Sequence, residues 1–308
     1  MKSWIAAARP RTLPLALASI ILGSLLAVGT GRFSPLTFAL AALTTVFLQV
    51  LSNFANDYGD AVSGKDTAER VGPRRAVATG DITREAMLRG IIVTSVLALV
   101  SGIGLLLEAT RQVGPVVRDP IVFWTFLLLG LLCIAAAIGY TNGKRPYGYA
   151  GFGDIAVLLF FGWVGVLGTY FLHTGTVAPA LLLPATSVGL FATGVLNINN
   201  IRDLETDAKT GKRSIPVRLG RQRAVRYHWG LLLAGMACAV AYTAFLETPT
   251  TGGAGYLRWL YLLAFPLFWR NGRAVATHRQ PAELNPRLGQ LALTTLLFVI
   301  LFGLGQVW

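Results

Sequence analysis

Nine stretches of this chain are apolar for long enough to cross a lipid bilayer, and that excludes most folds at once. A membrane helix needs about 20 mostly apolar residues, with a range of roughly 17–25. Residues 12–30, 35–56, 87–107, 121–140, 154–172, 177–200, 228–246, 256–270 and 288–307 each read as such a segment, the eighth being short. In lipid every backbone polar group must find its partner inside the protein, so segments of this length fold as helices. The first stretch lacks a small-residue cleavage site and eight more follow it, so it reads as a span and not as a cleaved signal. The expected fold is all-α, a membrane protein of nine transmembrane helices.

Composition bears on what surrounds those helices. The chain is 54% hydrophobic and only 13% charged, against roughly 25% charged in soluble proteins. A net charge of +13 would suit a nucleic-acid binder, but such proteins carry their basic residues on polar surfaces, and this chain has too few. The lipid bilayer is the expected environment and no nucleic-acid partner is expected. Nor does anything in the sequence demand an obligate protein partner. Cys133 and Cys238 both lie in apolar runs, so neither a disulfide nor a cysteine metal site is expected.

Cytoplasmic loops of membrane proteins carry the excess of Lys and Arg. Here 23 of the 27 basic residues fall on the N-terminal side, and only Arg32, Arg111, Arg118 and Arg258 on the other. The expectation is a multi-pass protein of a bacterial cytoplasmic (inner) membrane, with its N-terminus in the cytoplasm. Eleven of the 14 acids fall on the same side, which topology does not require. Something on that face uses them.

Two polar clusters hold five of these acids. The first ends span two, where Asn53, Asn56, Asp57 and Asp60 are three and four residues apart and share a helix face, with Asp66 further on. The second ends span six, where Asn199, Asp203 and Asp207 step by four. Polar groups at the edge of apolar runs are costly and usually functional. Mg²⁺ prefers carboxylate and amide oxygens and typically bridges one or two carboxylates to substrate phosphates. Arg70, Arg74 and Arg75 follow the first cluster, and Lys209, Lys212 and Arg213 the second. Such cations suit the oxygens of a diphosphate, so each cluster combines metal ligands with a phosphate-binding rim.

The clusters also expose an internal repeat. Asp57 and Asp203 each close the second helix of a four-helix block, so the expected architecture is one domain of two four-helix pseudo-repeats, about 1–150 and 151–275, plus a ninth helix. A third polar run joins spans four and five. In it Tyr140 and Tyr147 are candidates for lining an aromatic site, and Lys144 and Arg145 for phosphate contact. The same run also reads as a Gly/Pro turn with an interfacial aromatic belt. His173, His228 and His278 lack metal-ligand spacing, and no P-loop, G-x-S-x-G or G-x-G-x-x-G is present.

These residues carry a resemblance. The run Arg9-Pro-Arg-Thr-Leu-Pro-Leu-Ala precedes span one; Asn53-Phe-Ala-Asn-Asp-Tyr-Gly-Asp has Gly72-Pro-Arg-Arg behind it; Tyr140-Thr-Asn-Gly-Lys-Arg-Pro-Tyr-Gly-Tyr follows; and Leu196-Asn-Ile-Asn-Asn-Ile-Arg-Asp leads to Gly211-Lys-Arg-Ser-Ile-Pro-Val-Arg. Over essentially its whole length the chain resembles the UbiA superfamily of intramembrane prenyltransferases, most of all the branch acting on 1,4-dihydroxy-2-naphthoate. It departs from the superfamily's D-x-x-D-x-x-x-D pattern, because Asp57 and Asp60 are followed only by the more distant Asp66, and Ser214 stands where a Thr is usual.

The resemblance implies transfer of a polyprenyl group from polyprenyl diphosphate to dihydroxynaphthoate, with loss of CO₂ and diphosphate, in menaquinone biosynthesis. It implies Mg²⁺ held by Asp57, Asp60, Asp203 and Asp207, with Asp66 as a possible fifth ligand. Asn53, Asn56 and Asn199 would complete that site, while Arg74, Lys144, Arg145, Lys212 and Arg213 would meet the diphosphate. Tyr140 and Tyr147 would line the prenyl cation or the ring. Two other readings stand beside it: a sister enzyme using another acceptor such as 4-hydroxybenzoate, and a cation-coupled transporter. A transporter would place its acids near the bilayer midplane; here they lie at helix ends beside basic loops.

Overall fold

The computed structural model describes residues 1–66, 71–73, 75–246 and 255–307. Among them every regular element is a helix. We label the principal ones α1 (Lys2–Ala8), α2 (Leu13–Val28), α3 (Pro35–Val62), α4 (Arg84–Val113), α5 (Pro120–Gly139), α6 (Gly153–Thr174), α7 (Pro179–Arg202), α8 (Leu204–Lys209), α9 (Arg221–Phe245), α10 (Phe265–Thr277) and α11 (Asn285–Val307).

Helix starts follow local chemistry. Ser34 accepts the Thr37 N–H at 3.2 Å with Pro35 behind it, Thr83 accepts the Ala86 N–H at 3.2 Å, and Asp119 accepts the Ile121 N–H at 2.8 Å with Pro120 next. A side-chain oxygen satisfies a donor that the helix cannot, and proline costs nothing at the first position.

Eight helices among the described residues are long and apolar enough to cross a membrane. The segment expected at 256–270 is not one of them. It is helical from Leu257 to Thr277, in tight turns to Ala264 and α-helical beyond, but Arg258, Arg270, Asn271 and Arg273 dilute its apolar content. Other spans differ mainly in length. α3 runs to Val62, six residues past its expected end, so Asn53, Asn56, Asp57 and Asp60 stay helical while Asp66 lies beyond it.

The packed core lies between α2, α7, α9, α10 and α11, where Phe191 stacks on Phe268 at 4.0 Å and both meet Phe298. α5 has no buried residue at all. Leu128, Leu131 and Leu132 on α5, with Val93, Val96 and Val100 on α4, are exposed. In a multi-pass membrane protein such side chains meet lipid, which does not penalise them.

One elbow is strained. Between α1 and α2, Arg9 adopts φ 51°, ψ 62°, the sole non-glycine residue with positive φ among those described. This left-handed conformation costs an L-residue about 1–2 kcal/mol, and a following proline, here Pro10, disfavours it further. The elbow is held by Asn53 of α3, whose Nδ2 donates to the Ala8 carbonyl (2.8 Å) and to Thr12 Oγ1 (3.2 Å).

Gly59 shows how closely α3 meets the loop after α5. A Cβ there would lie 2.7 Å from both the carbonyl oxygen and the hydroxyl of Thr141. Gly59→Ala is therefore expected to push the 140–149 loop away, at about 1–3 kcal/mol of overpacking. Thermal melting in detergent checks this; an unchanged midpoint would refute the close approach.

Candidate active site

A cavity of about 490 Å³ opens among α2–α7. Most of its wall is apolar, including Leu48, Leu105, Phe126, Phe160 and Leu172, and one end is strongly polar. At that end stand Asn56, Asp60, Arg75, Asp203, Asp207 and Lys212, so the two clusters far apart in sequence converge.

Asp60 is 1% exposed and meets three donors. Arg75 pairs with one oxygen, Tyr149 donates to the other, and Lys212 Nζ lies 3.4 Å from that second oxygen. The same Nζ is 3.4 Å from Asp207. Lys212 thus joins the two halves, and its ammonium also lies 5.1 Å over the Tyr149 ring. Arg75 additionally donates to the Asn56 carbonyl and approaches Asp66 at 3.9 Å. A buried carboxylate of this kind is tolerable only with such partners.

On the second side α7 ends at Arg202, Asp203 breaks the helix, and α8 resumes at Leu204. The backbone ladder continues across the break, Asp203 N–H donating to Asn199 (3.1 Å) and Asp207 N–H to Asp203 (2.8 Å). The four-residue stepping therefore survives. Arg202 grips Asp203 with two bonds of 2.8 and 2.6 Å and also reaches Asn199 and Asn285. Burial pushes the Asp207 carboxyl above the usual aspartate range, with Lys212 pulling it back.

The tyrosines form the roof. Tyr140 and Tyr147 meet edge-to-face at 5.3 Å, and Tyr147 donates to the Ala136 carbonyl at 2.8 Å. Burial raises all three phenols, Tyr147 to about 12 and Tyr140 and Tyr149 higher, with Asp60 adding to the last. They are neutral donors at physiological pH.

Of the expected site residues, Asn53, Asn56, Asp60, Tyr140, Tyr147, Asn199, Asp203, Asp207 and Lys212 line this one cavity. Asp57, Asp66, Lys144, Arg145 and Arg213 do not. Lys144, Arg145 and Arg213 are exposed, on loops where solvation of a cation is cheaper than burial. Arg74 and Arg70 lie outside the described residues. Asp57 is only 1% exposed, yet its two oxygens accept the backbone N–H groups of Ala76 (3.0 Å) and Val77 (3.1 Å). It points behind the cavity and anchors the loop that carries Arg75. A shared helix face is too coarse to separate neighbours such as Asp57 and Asp60. Arg75, one of the three arginines noted after the first cluster, lines the cavity, while Arg202 and Tyr149 enter the site unannounced: a run of tyrosines does not reveal which member turns inward.

Among the described residues no three His, Cys, Asp or Glu side chains form a ready-made metal cage. The donor set nonetheless fits Mg²⁺, which uses one or two carboxylates and takes its remaining ligands from substrate phosphate and water. Asp60 and Asp207 already hold a cation between them, the Lys212 ammonium.

Residues 16–293 match the model of the UbiA prenyltransferase family. The chain belongs to this family. Its relatives include the 1,4-dihydroxy-2-naphthoate octaprenyltransferase of Escherichia coli strain K12, 45% identical over 99% of this chain and 94% of that protein. The enzyme of the same name from Mycobacterium tuberculosis is 35% identical over 96% and 94%. Among solved structures, an apo UbiA homolog from Aeropyrum pernix shares the fold with a TM-score of 0.64 at 18% identity, over 95% of this chain and 96% of that one. A UbiA homolog from Archaeoglobus fulgidus bound to GPP and Mg²⁺ gives 0.62 at 15% identity, over 99% of both chains. The all-helical membrane architecture of the family is the one found here.

Proposed function

We propose that this chain transfers a polyprenyl group from polyprenyl diphosphate to 1,4-dihydroxy-2-naphthoate, releasing diphosphate and CO₂. Oxidation of the resulting hydroquinone gives demethylmenaquinone. The observation that carries the reading is the junction of a carboxylate-and-cation pole with a long apolar cavity, in a chain 45% identical to an E. coli enzyme of that name. A prenyl diphosphate has the same two-part chemistry.

Asp60, Asp203 and Asp207, with Asn56 beside them, are the residues that would hold Mg²⁺. That ion supplies positive charge to the departing diphosphate. Arg75 and Lys212 face the same end of the cavity and add fixed cations for the diphosphate oxygens, where developing charge benefits most from preorganisation. The apolar wall accepts the isoprenoid and keeps water from the allylic cation. Tyr140 and Tyr147 present aromatic surface beside it. In this reading the pole faces the cytoplasm across a bacterial inner membrane, as the 23-to-4 distribution of basic residues supports. The two Asp clusters mark corresponding places in two four-helix blocks.

Product mass spectrometry on the detergent-purified protein tests the function. With Mg²⁺ and polyprenyl diphosphate, dihydroxynaphthoate is expected to yield a prenylated, decarboxylated naphthoquinone, and EDTA to abolish it. Product from 4-hydroxybenzoate alone would move the enzyme to a different acceptor. Intact diphosphate with both acceptors would refute prenyl transfer.

A further inference from the structure

Far from the cavity, Arg226 of α9 and Arg270 and Arg273 of α10 are exposed, and among the described residues no carboxylate or hydrogen-bond partner meets their guanidinium groups. Two contacts fix how these helices pass one another. Arg221, at the start of α9, donates to the carbonyl of His278, just past the end of α10. Further along, the Trp229 ring lies over Gly272, where a Cβ would stand 2.7 Å from it, and meets the Trp269 ring edge-to-face at 4.8 Å. The helices are therefore antiparallel, and this register sets Arg226 level with Arg273 across the seam, about one turn nearer the start of α9 than the tryptophans. Asn197 of α7 donates to the Ala224 carbonyl at 3.2 Å, so the arginines lie at the same end of the bundle as the acidic pole.

The outer side of the seam is layered. On α9, Arg226, Trp229 and Leu233 recur at intervals of three and four and share one flank. On α10, Trp269 and Arg273 do the same. Trp269 and Leu233 are exposed, as are Leu262 and Leu263 just before α10, and neither indole N–H donates to a described residue. Cations, then indoles, then aliphatic side chains match the phosphate, the ester region and the acyl chains of a phospholipid in that order. Two like charges at one level repel, and an anion between them replaces that repulsion with charge-assisted hydrogen bonds. Glu283, the acid on the loop after α10, already accepts the backbone N–H groups of Arg279 and Gln280. Topology asks for basic residues at this end of the protein, but not that they pair across a helix seam beside two tryptophans.

We propose that the α9–α10 seam binds an anionic phospholipid of the bilayer leaflet at the active-site end. Its phosphate lies between Arg226 and Arg273 with Arg270 beside them, its ester region rests on Trp229 and Trp269, and its acyl chains follow Leu233. A zwitterionic lipid brings a headgroup cation that these arginines repel. The bound lipid ties α10 to α9 and stabilises the folded chain by mass action. This site is separate from the catalytic cavity and does not depend on the reaction proposed for it.

The test uses the full chain, stripped of lipid in a nonionic detergent, with dioleoyl phosphatidylglycerol or dioleoyl phosphatidylcholine added back. Retained lipid is counted by native mass spectrometry and thermal melting is followed in parallel. Phosphatidylglycerol is expected to bind and to raise the melting temperature by about 3 °C or more, and phosphatidylcholine to do neither. The double variant Arg226→Gln/Arg273→Gln is expected to bind phosphatidylglycerol about 30-fold more weakly, since each interfacial arginine is worth about a factor of five. A charge-matched control, Arg84→Gln/Arg89→Gln at the start of α4, is expected to keep wild-type binding within about threefold. If the double variant does not fold, Arg226→Lys and Arg273→Lys carry the test, each keeping the charge but losing the planar fork and binding more weakly than the control. Equal binding of the two lipids would overturn the proposal, as would equal loss in the α4 control, which would make the effect one of net charge. Inorganic phosphate that reproduces the stabilisation would replace the lipid with a free anion. A dimer in detergent that the double variant abolishes would replace it with a second copy of the chain.

Discussion

Asp60→Asn is expected to reduce kcat/KM by about 10³-fold, the scale on which loss of one preorganised charge-stabilising group is felt. Asp60 is where the two halves of the site meet: Arg75 and Tyr149 come to it directly and Lys212 bridges it to Asp207 at 3.4 Å. A neutral amide offers one acceptor oxygen instead of two charged ones, and its NH₂ group must confront one of these donors. Breaking a buried ion pair also costs about 3–5 kcal/mol when the partner is left alone. Here Asp66 and Asp207 remain near Arg75 and Lys212, so the stability loss is expected at or below the bottom of that range. Steady-state kinetics with a Mg²⁺ titration, alongside thermal melting, separates the two effects. Activity within tenfold of wild type would refute the central place given to Asp60.

Asp57→Ala is expected to act differently, as a loss of stability of about 2–6 kcal/mol, because it strands two backbone N–H groups that each cost about 1–3 kcal/mol unpaired. Both oxygens of Asp57 are engaged by Ala76 and Val77, and the adjacent residue, Arg75, is the cation on Asp60. Asparagine is no remedy, since its second atom donates where an acceptor is needed. Loss of the anchor frees the Arg75 loop, so KM for the prenyl diphosphate is expected to rise with little change in the Mg²⁺ concentration at half-maximal rate. A metal ligand would give the converse: unchanged melting and a large shift in Mg²⁺ requirement. That outcome would return Asp57 to the metal-binding set.

Much of the site was legible from spacing. Asn53, Asn56 and Asp60 recur at helical intervals, α3 stays helical to Val62, and all three face the cavity. Asn199, Asp203 and Asp207 keep their four-residue register even though the helix breaks at Asp203. Spacing did not sort the cations, of which Arg75 and Lys212 line the cavity. Lys144, Arg145 and Arg213 are as basic as Lys212, yet they end on exposed loops. Loop direction follows contacts made elsewhere, such as the Arg213 N–H donating to Tyr149 at 2.8 Å. No local signal encodes those.

What the sequence determined alone is what short-range rules can carry. Long apolar runs must become helices because lipid offers no partner to the backbone, and polar groups inside such runs must have a use because their burial is costly. All-α membrane architecture and the two acidic clusters therefore followed from residue type and interval. The tertiary structure decided which of two neighbouring aspartates faces the cavity, that Lys212 stands between Asp60 and Asp207, and that a strained elbow brings Arg9 against α3. Each of these depends on contacts between segments about twenty or more residues apart, and such contacts form only when the helices have packed.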